Sequence, residues 1–202
     1  MTDLLASDGD GIARGAELLA GGALVAFPTD TVYGVGVAAS RADRLDALFA
    51  LKHRPLDRRI PMLVADLAQA TDAGWLADER AHRLAERFWP GALTLVLAGA
   101  TGGDTQAFRA PDHPVALELI RRAGPILATS ANRSDEPDTL GADEVLIAFA
   151  TQPDELSAVV DGGQVPGGVA STVVDLSVAP AQVLREGPIT RETLAEVVDL
   201  EP

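Results

Sequence analysis

"ALVAFPTDTVYGVG" spans Ala23 to Gly36, and its two halves follow different patterns. The opening "ALVAF" is apolar without alternation, as expected of a buried strand in an α/β sheet. Pro28 closes that run, and Thr29, Asp30, Thr31 and Tyr33 follow before two glycines. Open α/β sheets bind ligands where loops converge at strand ends, and two hydroxyls, a carboxylate and a phenol now stand at such an end.

The flanks agree with that fold class. Upstream, Gly9 to Gly21 spaces Ile12, Ala16, Leu18 and Leu19 as one face of a helix, with "GG" as its stop. Downstream, "SRADRLDALFALK" reads as a helix with Ser40 as N-cap and Lys52 at its C-terminal end, where Pro55 forbids continuation. Strand "IPMLVA", helix "DERAHRLAERFW", strands "LTLVL" and "TQAFRA", helix "HPVALELIRRAG" and strand "PILAT" succeed one another. Helix "GADEVLIAFA", strands "SAVVD", "STVVDL" and "AQVLR", and a helix from Thr190 complete the chain. Strands alternate with helices early and are expected to pair as neighbours late. The reading is α/β: a single domain over residues 1–202, a twisted mixed sheet with flanking helices.

Composition excludes several functions. The chain has 202 residues, 47% of them apolar, and no cysteine, so disulfides, thiolate zinc sites and a cysteine nucleophile are absent. "MTDLLASDGDGIARG" is not a signal peptide, and no apolar run approaches the ~20 residues of a membrane span. A cytoplasmic protein without membrane contact is expected. The net charge of −14 opposes broad affinity for nucleic acid, but exposed charges are screened beyond about 8–10 Å, so it does not exclude a small basic cleft on an acidic surface.

Rare residues mark three stretches. Lys52 is the only lysine, Asn132 the only asparagine and Tyr33 the only tyrosine, and they fall in "LKHRP", "TSANRS" and "PTDTVYG". Lys52 and Arg54 form a point charge and a planar fork suited to one phosphate chain, or else an ordinary solvated helix end. "TSANRS" sets Thr129, Ser130, Asn132 and Ser134 on a turn that either holds a polar ligand or bonds its own backbone. Arg109 and Arg185 are lone cations at strand ends, and Ser171 with Thr172 opens a strand. No Walker-A loop, dinucleotide fingerprint or G-x-S-x-G elbow occurs, and His53, His82 and His113 lack metal-ligand spacing. No resident metal site is expected.

In order, "PTDTVYGVG", "LKHRP", "WPGALTLVL", "TQAFRAPDHP", "LATSANRS" and "GGVASTVVDL…VLREGPIT" resemble the YrdC/Sua5 family, the threonylcarbamoyl-AMP synthases. The likeness runs from about Ala23 to Thr190 and fits the short, single-domain form. It implies a deep basic cavity and a nucleotidyltransferase joining L-threonine, bicarbonate or CO2, and ATP with Mg2+ into threonylcarbamoyl-AMP and pyrophosphate. A tRNA threonylcarbamoyl transferase complex would use that product for t6A modification. By resemblance, Lys52, Arg54, Ser130 and Asn132 form the catalytic tetrad, and Thr31, Arg109, Ser130 and Ser171 line the threonine pocket. Lys52, Arg54, Thr105, Asn132, Thr139 and Arg185 would hold ATP. The chain departs from the family pattern at the lengthened "RPLDRRIPMLVAD", at Asp135 and at Glu186, so Arg58 and Arg59 are candidates for phosphate contacts. Two other readings stay open: a ribosome-associated double-stranded RNA-binding relative with weak tRNA or RNA contact, and a paralogue acting on another small molecule.

Overall fold

The computed structural model describes residues 1–52, 59–134, 136–152 and 155–201. Strand β1 (Asp3–Ala6) leads into helix α1 (Gly9–Ala20), after which β2 (Leu24–Phe27) turns back into β3 (Gly34–Ala38). A 3-10 segment, Ala39–Arg44, feeds α2 (Leu45–Lys52). Next come β4 (Met62–Leu63), α3 (Leu67–Asp72), α4 (Glu79–Phe88), β5 (Leu93–Ala98) and β6 (Thr105–Arg109). The remainder is α5 (Pro114–Ala123), β7 (Ile126–Ser130), α6 (Ala142–Ala148), β8 (Leu156–Asp161), β9 (Thr172–Asp175), β10 (Gln182–Arg185) and α7 (Arg191–Ala195).

All ten strands form one mixed sheet in the order β1-β8-β2-β3-β7-β4-β6-β5-β9-β10. The unbroken apolar character of β2 has a direct cause. Leu24 and Ala26 join a core with Leu48 and Phe149, whereas Val25 and Phe27 join a second core with Ile12 and Leu119. Helices therefore cover both faces, and no position on the strand tolerates a polar side chain. Each fully buried Leu or Phe contributes about 1.5–3 kcal/mol. A third core gathers β5, β6 and β9 under α3, α4 and α7, through Leu84, Leu95, Phe108, Val174 and Leu194.

The two parts of the sheet meet at β4. Its two residues pair antiparallel with β7 and parallel with β6. The expected strand "IPMLVA" thus shrinks to Met62–Leu63, although Pro61 and Val64 extend the seam through bonds from Ala128 N to Pro61 O (3.1 Å) and from Val64 N to Arg109 O (2.9 Å).

Other expectations change too. Ser40 does not cap a helix: it lies inside the 3-10 segment, where Arg41 leaves helical geometry (φ −119°, ψ 39°) and bonds Gly21 O (2.6 Å) and Asp43. The late strands do not all pair as neighbours. β8 inserts between β1 and β2, β9 joins β5 in parallel, and only β9 and β10 pair in sequence order. β1, β3 and α3 are additional elements. β3 carries two glycines, and a Cβ on Gly36 would lie 2.5 Å from Leu127 O, so the close approach of β7 requires a residue without a side chain. Among the described residues no helix is long and apolar enough to cross a membrane.

Candidate active site

A cavity of about 420 Å³ opens over the seam of the sheet. Its wall is assembled from the β2–β3 turn (Thr29, Thr31, Val32), the seam (Arg59, Leu63), β6 (Arg109) and the end of β7 (Thr129, Ser130). Thr94 on β5, Ser171 at the start of β9 and Arg185 at the end of β10 complete it. Five of the candidate residues, Thr31, Arg109, Ser130, Ser171 and Arg185, therefore meet in one place. The charged side chains in the wall, among the described residues, are Arg59, Arg109, Arg185 and Asp138, a basic balance within an acidic chain.

The β2–β3 turn is closed by its own hydroxyls. Thr29 Oγ1 donates to Val32 O (2.6 Å), accepts from Thr31 N (3.2 Å) and lies 3.2 Å from Thr31 Oγ1. Arg109 is clamped from three directions: Nε donates to Gly91 O (3.0 Å), Nη2 to Asp30 Oδ2 (2.6 Å) and Nη1 to Thr31 Oγ1 (3.4 Å).

On the far wall, Thr94 Oγ1 and Ser171 Oγ are 2.8 Å apart. Arg185 reaches Ser171 O through Nε (2.9 Å) and Ser171 Oγ through Nη2 (3.3 Å). Thr172 faces the other way and pins the following turn, donating to Ile189 O (2.7 Å) and accepting from Gly187 N (2.9 Å) and Ile189 N (3.2 Å).

Lys52 sits behind Ser130 rather than in the wall. It is 3% exposed, so its ammonium needs protein partners, and it donates to Ser130 O, Ser130 Oγ (3.3 Å) and Asn132 Oδ1 (3.1 Å). Ser130 Oγ donates to Asn132 Oδ1 (2.6 Å), and Asn132 Nδ2 donates to Glu136 O (2.6 Å). One connected chain thus runs from the end of α2 to the cavity edge. Its reach is fixed by backbone pairing as well, since Ser134 N donates to Lys52 O (3.1 Å).

Thr105 and Thr139 lie outside the wall. Thr105 is clasped by Arg59, which donates to its hydroxyl and to its carbonyl (3.2 Å). Thr139 is buried and gives its hydroxyl to Ala131 O (3.1 Å). Arg54, Arg58 and Asp135 lie outside the described residues. Tyr33 is fully buried and points away from the cavity, donating to Gly163 O (2.8 Å) and accepting from Gly162 N (3.2 Å). Burial raises its pKa above 10.0 against the opposing pull of the Gly162 bond. Thr94 and Asp138 were not singled out from the sequence, and Asp30, marked there at a strand end, was given no partner. A threonine interrupting the apolar run "LTLVL" was the available signal for the first, because a buried hydroxyl demands a partner.

The class of molecule follows from fold and site together. A family model described as "Telomere recombination", covering the Sua5, YciO and YrdC proteins, matches residues 17–187. The chain belongs to this family. The threonylcarbamoyl-AMP synthase of Bacillus subtilis is 40% identical over 98% of the chain, and the putative threonylcarbamoyl-AMP synthase of Mycobacterium tuberculosis is 36% identical over 95%. The crystal structure of Pyrococcus abyssi Sua5 complexed with L-threonine superposes with a TM-score of 0.87 over the whole chain, at 34% identity. The chain spans 59% of the length of the Bacillus relative, 63% of the Pyrococcus one and 90% of the mycobacterial one.

Proposed function

We propose that this protein is an L-threonylcarbamoyladenylate synthase, supplying threonylcarbamoyl-AMP to a tRNA threonylcarbamoyl transferase for t6A modification. The observation that carries this reading is the convergence of Thr31, Arg109, Ser130 and Ser171 on one cavity, beside the Lys52–Ser130–Asn132 chain. The Pyrococcus relative, whose structure is described as complexed with L-threonine, supports the same assignment.

Each part of the substrate has a matching partner. Arg109 receives the threonine carboxylate in a charge-assisted pair. Thr31, Thr94 and Ser171 offer hydroxyls to the substrate hydroxyl and amine, and a site built to bond a hydroxyl rejects analogues lacking it. The neutral amine forms a bond to the carbon of CO2 as one C–O π bond opens, and the proton that nitrogen sheds passes to water, leaving a carbamate. A carbamate oxygen then forms a bond to the α-phosphorus of ATP as the bond from that phosphorus to the bridging oxygen breaks, and pyrophosphate leaves with the electron pair. No covalent enzyme intermediate is required.

Arg185 and Arg59 with Thr105 would flank the triphosphate, together with Arg54, Asn132 and Thr139. Lys52 adds its charge at the Ser130 corner, so catalysis is positioning and electrostatic stabilisation of charge growing on the phosphates. Magnesium enters as the companion of the triphosphate. Among the described residues no group of three His, Cys, Asp or Glu side chains forms a resident cation site.

The test is pyrophosphate release from ATP with threonine and bicarbonate omitted in turn. Release should need both. Release indifferent to either would remove the proposed reaction, and salt-sensitive RNA binding without turnover would favour the RNA-binding alternative.

A further inference from the structure

We propose that Asp30 is a positioning residue for substrate binding: its carboxylate fixes the Arg109 guanidinium so that the face left open receives the carboxylate of L-threonine. The inference rests on the threonine reading above and adds a residue to it.

Asp30 and Arg109 are joined at 2.6 Å, and their side chains are only 16% and 12% exposed. A guanidinium so deep in the protein requires a fixed set of acceptors. It has them: Gly91 O, itself on a residue whose N–H donates to Ala110 O (2.8 Å), then Asp30 Oδ2, then Thr31 Oγ1. Arginine has five N–H groups. Those three contacts, among the described residues, leave one N–H on each of Nη1 and Nη2. That pair is what a ligand carboxylate takes in a bidentate contact.

Asp30 is held in turn by the closed β2–β3 turn, whose Thr29 hydroxyl bonds Val32 O. Its second oxygen, Oδ1, is buried with no protein partner among the described residues. The residue therefore spends its one strong contact on Arg109. Carboxylate, guanidinium and the hydroxyls of Thr29 and Thr31 form one clamp linking the β2–β3 turn to the end of β6 beside the cavity.

Charge and geometry give opposite expectations, which makes the role testable. If Asp30 acted only through its charge, removing it would leave Arg109 less neutralised and tighten carboxylate binding. If Asp30 positions Arg109, the same removal frees the guanidinium to swing and weakens binding. A third possibility, a purely structural clamp, would weaken all ligands alike.

Calorimetric titration of the full chain with L-threonine and with L-threoninamide, which keeps the amine and hydroxyl but lacks the carboxylate, separates these. For Asp30→Asn the expectation is threonine binding weakened by about tenfold or more, the size of one charged hydrogen bond, with threoninamide changed by no more than about twofold. The preference for the acid over the amide therefore collapses. Threonine binding that is unchanged or tighter overturns the proposal, as does an equal loss for both ligands. Should Asp30→Asn lose the cooperative unfolding transition of the parent, Asp30→Glu takes its place, with the same collapse expected from a misplaced carboxylate. Failure of the parent protein to bind threonine at all would instead remove the threonine reading itself.

Discussion

Tyr33 shows how a single residue can be marked by composition and still not belong to the chemistry. It is the only tyrosine in the chain, yet its hydroxyl ties the β2–β3 turn to Gly162 and Gly163, far along the sequence. Tyr33→Phe removes two part-buried hydrogen bonds, to Gly163 O and from Gly162 N, so a loss of about 0.5–1.5 kcal/mol for each is expected in denaturant unfolding. Threonine affinity should stay near that of the parent. Lys52 is the opposite case. Its ammonium fits among three acceptors at 3% exposure, a space that a planar, five-donor guanidinium cannot share. Lys52→Arg should therefore lower the rate of pyrophosphate release by about 100-fold or more, the scale of one misplaced electrostatic group. Parental turnover in that variant would show that the lysine is interchangeable.

At the scale of elements, the turn after β10 is a packing problem with a functional consequence. A Cβ on Gly187 would lie 2.3 Å from Ala170 O and 2.7 Å from Thr172 N, the backbone on either side of Ser171. Gly187→Ala should displace that segment, lower the unfolding midpoint, and weaken threonine binding by about tenfold, since small misplacements near a site are costly. Helix α5 carries a pH dependence. His113 caps it, accepting from Val115 N (3.3 Å), and burial holds its pKa below 6.5 despite the opposing charges of Asp30 and Asp112. A histidine kept neutral by the fold binds its proton more readily once unfolded. Its contribution to stability is complete above pH 6.5 and is lost as pH falls from there toward the lower folded value. His113→Asn keeps a capping group without the titration, so its stability should fall less steeply below pH 6.5 in denaturant titrations across pH.

The same scale explains which elements the sequence announced. β2 was legible because burial on both faces writes an unbroken apolar run, and β5 because Leu93, Leu95 and Leu97 alternate into one core. β3 was hidden because the glycine that β7 requires at position 36 also weakens the strand signal. β1 and β8 pair with partners distant in the chain, and no local pattern reports such a register. Ser40 looked like a helix start, but the chain first makes a 3-10 segment there.

On the scale of the whole molecule, one mixed sheet brings the β2–β3 turn, the end of β7, the start of β9 and the end of β10 to one cavity, and the arginines there stand out against a chain of −14 net charge. The residues expected at the threonine pocket came from the family resemblance, and the cavity gathers all four of them, each from a strand end. Thr94 and the role of Asp30 were harder to see. The first lies within a strand, and the second acts on an arginine that only the sheet order brings close. As proposed, this cavity reads the hydroxyl and carboxylate of one small amino acid. Calorimetric titration with L-threonine and with L-valine, which has the same outline without the hydroxyl, tests it most directly. Threonine should bind and valine should bind about 100-fold or more weakly, because valine has no hydroxyl to bond those of Thr31, Thr94 and Ser171. Equal affinity for the two would contradict the account.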